Sequence, residues 1–240
     1  MDAYIDQILQ ELDKWQIVMQ QPPSLTNRMT KSMQSRINRL IPERVHQAVT
    51  EAIKQMTRAV IFGADMTTPL RTHEMTLEQT ENKIRRRIEF YRSTAAIEGA
   101  VTGVGGFLWG LADFPLWLSL KMKMLYEISN YYGMDTKDYK ERIYILYIFQ
   151  LTFSSQAHRN EVHRIMQDWE KEKEMLPDDI HQFDWRIFQL EYRDYIDLAK
   201  LFQLIPVVGA AVGAYVNHHL TNKLGTNAMN AYRLRYVANR

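Results

Sequence analysis

The sequence predicts an all-α fold, a multi-helix bundle in a single domain, on three observations. Apolar residues recur every three or four positions through nearly the whole chain. No stretch alternates with the period of two that a half-buried strand requires. Proline, glycine or capping residues punctuate the periodic runs. The 240 residues, 46% of them hydrophobic, are ample for a sizeable core, and no linker or low-complexity tract divides them. One unit over 1–240 is therefore expected, with an N-terminal helix in 1–23 and the main bundle in 24–240.

Each element has a local reason. Ile5, Ile8, Leu9, Leu12, Trp15 and Met19 form one apolar stripe that Pro22 and Pro23 close. Ser24 can cap a second helix running through Leu40. Pro42 sits where a first helical turn tolerates it, and Val45, Val49, Ala52, Met56, Ala59 and Val60 supply the next stripe, up to Gly63. Ala64 to Met75 reads as a loop. Thr76-Leu-Glu-Gln79 has the form of a capping box, in which each end satisfies a backbone donor of the other. The helix it opens runs toward a glycine-studded segment, and Pro115 is expected to break or kink the chain. Trp117 to Tyr132 continues as helix with Gly133 as its stop. Asp135 is the expected cap of the next helix, rich in Tyr144, Leu146, Tyr147 and Phe149. Asp168 to Asp179, broken by Pro177, reads as a solvated helix end plus connection. Asp184 caps a helix from Trp185 to about Phe202. Pro206 opens a second glycine segment, Gly225 ends it, and Asn227 to Val237 forms a short basic helix.

The two glycine segments set the expected centre of the fold. Gly99, Gly103, Gly106 and Gly110 recur at spacings of four and three, and Gly209 and Gly213 repeat the pattern in the second segment. Glycine inside a helix costs about 1 kcal/mol relative to alanine, so a run of them requires a compensating close backbone approach. The expectation is two central, glycine-rich apolar helices crossing closely. Fourteen uncharged residues lie between Glu98 and Asp113. A membrane span needs about 20, so a buried or interfacial role ranks above a crossing.

Charge and composition exclude several classes. The net charge is +2 and there is no cysteine, which removes disulfides, thiolate metal sites and cysteine nucleophiles, and matches a reducing compartment. The N-terminus carries acids where an export signal carries bases, so a cytoplasmic location is expected. Between Arg28 and Arg58, seven bases face only two acids. Arg28, Lys31, Arg36 and Arg39 interleave with Met29, Met33, Ile37 and Leu40, an amphipathic combination suited to anionic lipid. Arg85, Arg86 and Arg87 similarly surround Ile84 and Ile88. Interrupting acids argue against a nucleic-acid groove.

Gly103-Val-Gly-Gly-Phe, Asp113-Phe-Pro115, Lys121-Met-Lys-Met-Leu-Tyr-Glu127, Tyr192-Arg-Asp-Tyr-Ile-Asp-Leu-Ala-Lys200 and Ile205-Pro-Val-Val-Gly209, with Phe183-Asp-Trp-Arg186 between, fall in order along the chain. In these motifs, from about residue 40 onward, the sequence resembles the EcsC family, and the N-terminal helix is similar to that of its bacillus-type members. The resemblance implies a cytoplasmic accessory protein associated with an ABC transporter. It supplies no catalytic residues.

The residues themselves offer one candidate polar pocket: Asp113, Trp109, Arg193, Asp197, Asn217 and His218. Asp113 shares the glycine face and precedes a proline break, and a carboxylate pressed into such a contact would have a raised pKa unless it is paired. Arg193, Asp197 and Lys200 are spaced as an ion-pair ladder. His218 and His219 point about 100° apart on a helix, and His158 and His163 do not have the spacing of a zinc protease. No metal site follows, and His163 is expected at the surface or a helix end. Phosphate-binding loops, dinucleotide fingerprints and nucleophile elbows are missing, so no cofactor is expected. The leading expectation is a non-catalytic accessory protein on the inner face of the membrane, engaging anionic lipid or transporter subunits. The alternatives are a hydrolase-like helical enzyme using Asp113 as acid or base on an apolar substrate, and a membrane-inserting hairpin protein.

Overall fold

The computed structural model describes residues 3–22, 43–62, 75–105, 114–195 and 210–238, leaving out the side chains of 44–46, 49, 95–105, 114, 157, 193–195 and 210–213. Its helices are α1 (Ala3–Gln20), α2 (Glu43–Phe62), α3 (Leu77–Gly105), α4 (Phe114–Tyr131), α5 (Tyr139–Phe153), α6 (Gln156–Gln167), α7 (Trp169–Met175), α8 (Trp185–Tyr195) and α9 (Ala210–Ala238). A single 3-10 turn, Ile180–Gln182, precedes α8. No strand occurs among the described residues, and the fold is all-α as expected.

Local chemistry sets several boundaries where the sequence places them. Thr76 and Gln79 exchange side-chain-to-backbone bonds of 3.2 Å each, so the capping box opens α3. Gly133 adopts φ 79° after α4, a left-handed stop that a side chain would strain. The Asp184 carboxylate accepts from the Ile187 backbone N–H at 3.0 Å and caps α8. Pro115 falls in the first turn of α4, where its missing N–H has no helical partner to lose.

Two boundaries differ from the sequence reading. Asp138, not Asp135, caps α5 by accepting from the Lys140 N–H, while Asp135 closes a turn onto the Lys137 N–H. Gly225 does not end a helix: α9 runs unbroken from Ala210 to Ala238. Gly225 is instead the point of closest approach between α9 and α3. A Cβ built there would lie 2.7 Å from both Cγ1 and Cδ1 of Ile88, well inside contact distance. Gly225→Ala is therefore expected to destabilise the fold. Overpacking costs about 1–3 kcal/mol, and the better helix propensity returns only about 1 kcal/mol. In an Ile88→Ala background the same change becomes stabilising, as urea denaturation of the four variants would show.

The centre of the bundle is α5. Thirteen of its fifteen residues are buried, so it has no solvent face and every neighbour packs onto it. Buried tyrosines tie it to the helices around it: Tyr144 donates to the Ala231 carbonyl of α9 at 2.8 Å, and Tyr192 of α8 donates to the Leu146 carbonyl at 3.1 Å. Arg142 has a different task. Its guanidinium bonds the Ile61 carbonyl in the last turn of α2 and the carbonyls of Thr136 and Lys137, satisfying acceptors that a helix end and a loop leave open. One cluster of buried apolar side chains takes members from all nine of the described helices.

Helices α3 and α9 are the longest and form the most extensive helix pair. Arg233 meets Glu81, Gly225 meets Ile88, and Asn222 meets Arg92, which makes the pair antiparallel. The C-terminal end of α3 and the N-terminal end of α9 therefore lie at one end of the bundle. The first turn of α4 is at that end too, because Trp117 bonds Asn217. Gly99 and Gly103 belong to α3 and Gly213 to α9, whereas Gly106, Gly110 and Gly209 lie outside the described residues. The expected crossing of two glycine-faced helices falls on these residues and the undescribed side-chain positions beside them.

Candidate functional site

Polar groups gather at the two ends of the α3–α9 pair, and they differ in kind. At the α9 C-terminal end, Arg233 and Arg235 are two residues apart and so project to opposite sides of the helix. The Arg233 guanidinium grips the Glu81 carboxylate of α3 through Nε at 2.9 Å and a second nitrogen at 2.5 Å. It also reaches Glu11 of α1 at 2.8 Å. Tyr4 and Tyr132 add hydroxyl donors to Glu81 at 2.7 and 3.0 Å. On the other side, Arg235 holds Glu141 of α5 in a fork of 2.5 and 2.9 Å and donates to Glu170 of α7 at 2.8 Å. Lys173 completes the Glu141 shell at 2.7 Å. Burial pushes the Glu141 carboxyl up, but Arg235 and Lys173 together hold it below the usual carboxylate range. Every charge here has its counter-charge and its hydrogen bonds, so the end works as a clasp that locks α9 to α1, α3, α5 and α7.

The opposite end holds the described part of the expected pocket. Asn217 is buried, and its side-chain oxygen accepts from the Trp117 indole at 2.5 Å. Thr221 donates back to the Asn217 carbonyl at 2.7 Å. One turn after Trp117, the fully buried Lys121 sets its ammonium 5.2 Å from the Trp117 ring centroid, a cation–π contact. Trp117 in turn lies edge-on to Phe153 of α5. A lysine with no solvent exposure was not singled out in the sequence. Its signal was available: Lys121 lies on the same α4 face as Trp117, Leu118, Leu125 and Ile128 at helical spacing, whereas Lys123 points outward.

Asp113, Trp109 and Asp197 lie outside the described residues, as does the side chain of Arg193. His218 is half-buried, and His219 is exposed with its ring stacked on Tyr215. The amphipathic stretch with Arg28, Lys31, Arg36 and Arg39 also lies outside the description. Of the second basic set, Arg87 makes a two-pronged bond to Glu127 at 2.7 and 3.0 Å, Arg85 leans on Tyr4 and Glu81, and Arg86 is exposed.

His163 is not at the surface. It is buried in α6 with its ring edge-on to Trp15 of α1, 5.2 Å between centroids, and its Nε2 has no hydrogen-bond partner among the described residues. Burial pushes the imidazole down to about 4, so it is neutral at physiological pH and works as an aromatic packing group. Trp15 itself donates to Asn227 at 3.0 Å, and Asn227 donates to Thr152 at 3.0 Å, linking α1 through α9 to α5. No cluster of three or more potential metal ligands occurs among the described residues.

A groove of about 500 Å³ opens between α2 and the first turns of α4. Small side chains on α2, Ala48, Ala52 and Ala59, leave the space, and Met56, Pro115, Leu118 and Met122 make its walls apolar.

These features define a helical protein clasped at one end by ion pairs and closed near the other by the buried Trp117–Asn217 and Trp117–Lys121 contacts. Comparison with known proteins gives it a family. The model of the EcsC protein family matches residues 6–237, and the chain belongs to that family. It is 42% identical over 231 residues to Protein EcsC of Bacillus subtilis (strain 168), covering 96% of this chain and 95% of that one. It is 25% identical over 256 aligned positions to the uncharacterized protein YdbA of the same organism, covering 98% and 94% of the two chains. No solved structure matches it significantly.

Proposed function

We propose that this chain is a non-catalytic accessory protein that attaches peripherally to the cytoplasmic face of the membrane and works beside an ABC transporter. One observation carries the attachment: the antiparallel α3–α9 pair brings the C-terminal end of α3, with Gly99 and Gly103, and the N-terminal end of α9, with Gly213, to the same end of the bundle. Two uncharged, glycine-containing helix ends meeting at one end suit a body that rests on a bilayer rather than one that crosses it. No described helix is long and apolar enough to cross a membrane. The transporter association rests on the family resemblance and gives the attached body its partner. Flotation with vesicles tests the attachment. The protein is expected in the lipid fraction with vesicles containing anionic phosphatidylglycerol at low salt, and a high-salt wash should release it. Its absence from the lipid fraction at low salt would contradict the reading.

A further inference from the structure

We infer that the membrane-facing surface is the end formed by the first turns of α4 and α9, with Leu116 and Tyr215 as its anchors, and that its partner is the headgroup layer of an anionic bilayer. The inference rests on the peripheral attachment proposed above and says which surface makes it. Leu116 is 61% exposed and Tyr215 is 70% exposed, and no described large apolar side chain is more exposed than Tyr215. A tyrosine and a leucine held in water on rigid helices suit an interface, where the ring spans the polar and apolar layers. Pro115 is exposed beside Leu116, and the apolar groove runs along the other side of the same α4 turns.

The charge distribution selects the lipid. From Phe114 to Tyr126 the chain has no acid and two lysines, of which Lys121 is buried, and after Asp197 it has no aspartate or glutamate at all. Lys123 is exposed on α4. The other end of the bundle is the reverse. Glu170 bonds Arg235 there, and Glu170, Glu172, Glu174, Asp178 and Asp179 outnumber Lys171 and Lys173 in one short stretch of α7 and the connection after it. A negatively charged surface attracts the first end and repels the second, so the field orients the protein as well as holding it. The basic face of α3 is the alternative surface: Arg87 and Arg85 already serve Glu127 and Glu81, while Lys83 and Arg86 are exposed.

The chain has no cysteine, so a single one can be placed at will. Leu116→Cys and Tyr215→Cys report on the proposed surface, and Met175→Cys, also exposed, reports on the acidic end. Each is labelled with the environment-sensitive fluorophore NBD and mixed with phosphatidylglycerol-containing vesicles. A several-fold rise in emission with a blue shift is expected at 116 and 215, and no change at 175. Flotation of the labelled protein with no response at 116 and 215, or with a response at 175 instead, would overturn this inference while leaving peripheral attachment standing. Failure to float at all would overturn attachment itself. The unlabelled pair Leu116→Glu and Tyr215→Glu gives a second readout, a roughly tenfold or greater loss of vesicle binding with unchanged helicity. Retained binding by that variant would also contradict the assignment.

Discussion

Arg235→Ala lowers the stability of the fold by about 3–5 kcal/mol, because it leaves the buried Glu141 carboxylate of α5 without its forked partner. Lys173 still reaches one oxygen of that carboxylate, from a less buried position, which favours the lower half of the range. For a chain of this length the loss amounts to a fall in melting temperature of roughly 6–20 °C. The loss comes from stranding a charge, not from losing a favourable pair. The double variant Arg235→Met, Glu141→Leu, which removes both charges and refills their volume, is therefore expected to recover most of it. Thermal denaturation of the single and double variants checks this. A double variant as unstable as the single one would mean that the pair itself, and not its desolvated remnant, sets the stability of the α9 end.

The second large effect is on pH. The folded chain keeps His163 neutral down to about pH 4, whereas the unfolded chain takes up the proton near the ordinary 6.5. Below pH 6.5 the unfolded state binds more protons, so stability falls as pH falls, and the loss levels off below about 4. At pH 5 the expected loss is about 2 kcal/mol, reaching roughly 3 kcal/mol at the plateau. Glu141 acts in a different window. Its folded carboxyl is held below 4.5, so its contribution is present above that value and is lost only as pH falls further. Between pH 6.5 and 5, His163 therefore stands clear of it. Urea midpoints at pH 7 and pH 5 should differ for the parent protein. His163→Phe, which keeps an aromatic ring against Trp15, should lose about 2 kcal/mol less of its stability over that interval. Equal losses in the two proteins would rule out His163 as the source.

Where local chemistry decides a feature, the sequence already carried it. The Thr76–Gln79 box, the Asp184 cap and the Gly133 stop each depend on residues within four positions of one another, and all three are where the sequence indicates. Asp135 and Asp138 show the limit. Both can cap, and packing of Tyr139 into the core selects the later one. Gly225 shows it more clearly: helix propensity reads it as a stop, but its use is set by Ile88, on a helix far away in sequence. The clasp was illegible for the same reason. Arg233 and Glu81 are 152 residues apart, and nothing local pairs them. A subtler signal did exist. Glu81 falls on the Ile84, Ile88 and Tyr91 stripe, and Glu141 sits inside a helix that is apolar on all sides, so each acid occupies a core position. Asn217 was chosen for a polar pocket. It is buried and polar, with Trp117 as its partner, 100 residues away.

The antiparallel pairing of α3 and α9 brings the C-terminal end of α3, the N-terminal end of α9 and the first turn of α4 to one end. Nitroxide labels at exposed single-cysteine pairs measure it directly. Ser93→Cys with Asn222→Cys should give a short distance, because Arg92 bonds Asn222. Gln79→Cys with Asn222→Cys should give a clearly longer one, because the intervening α3 residues offset it by about 21 Å along the helix axis. The reverse order, with 79 closer to 222 than 93 is, would contradict the pairing and everything placed at its end.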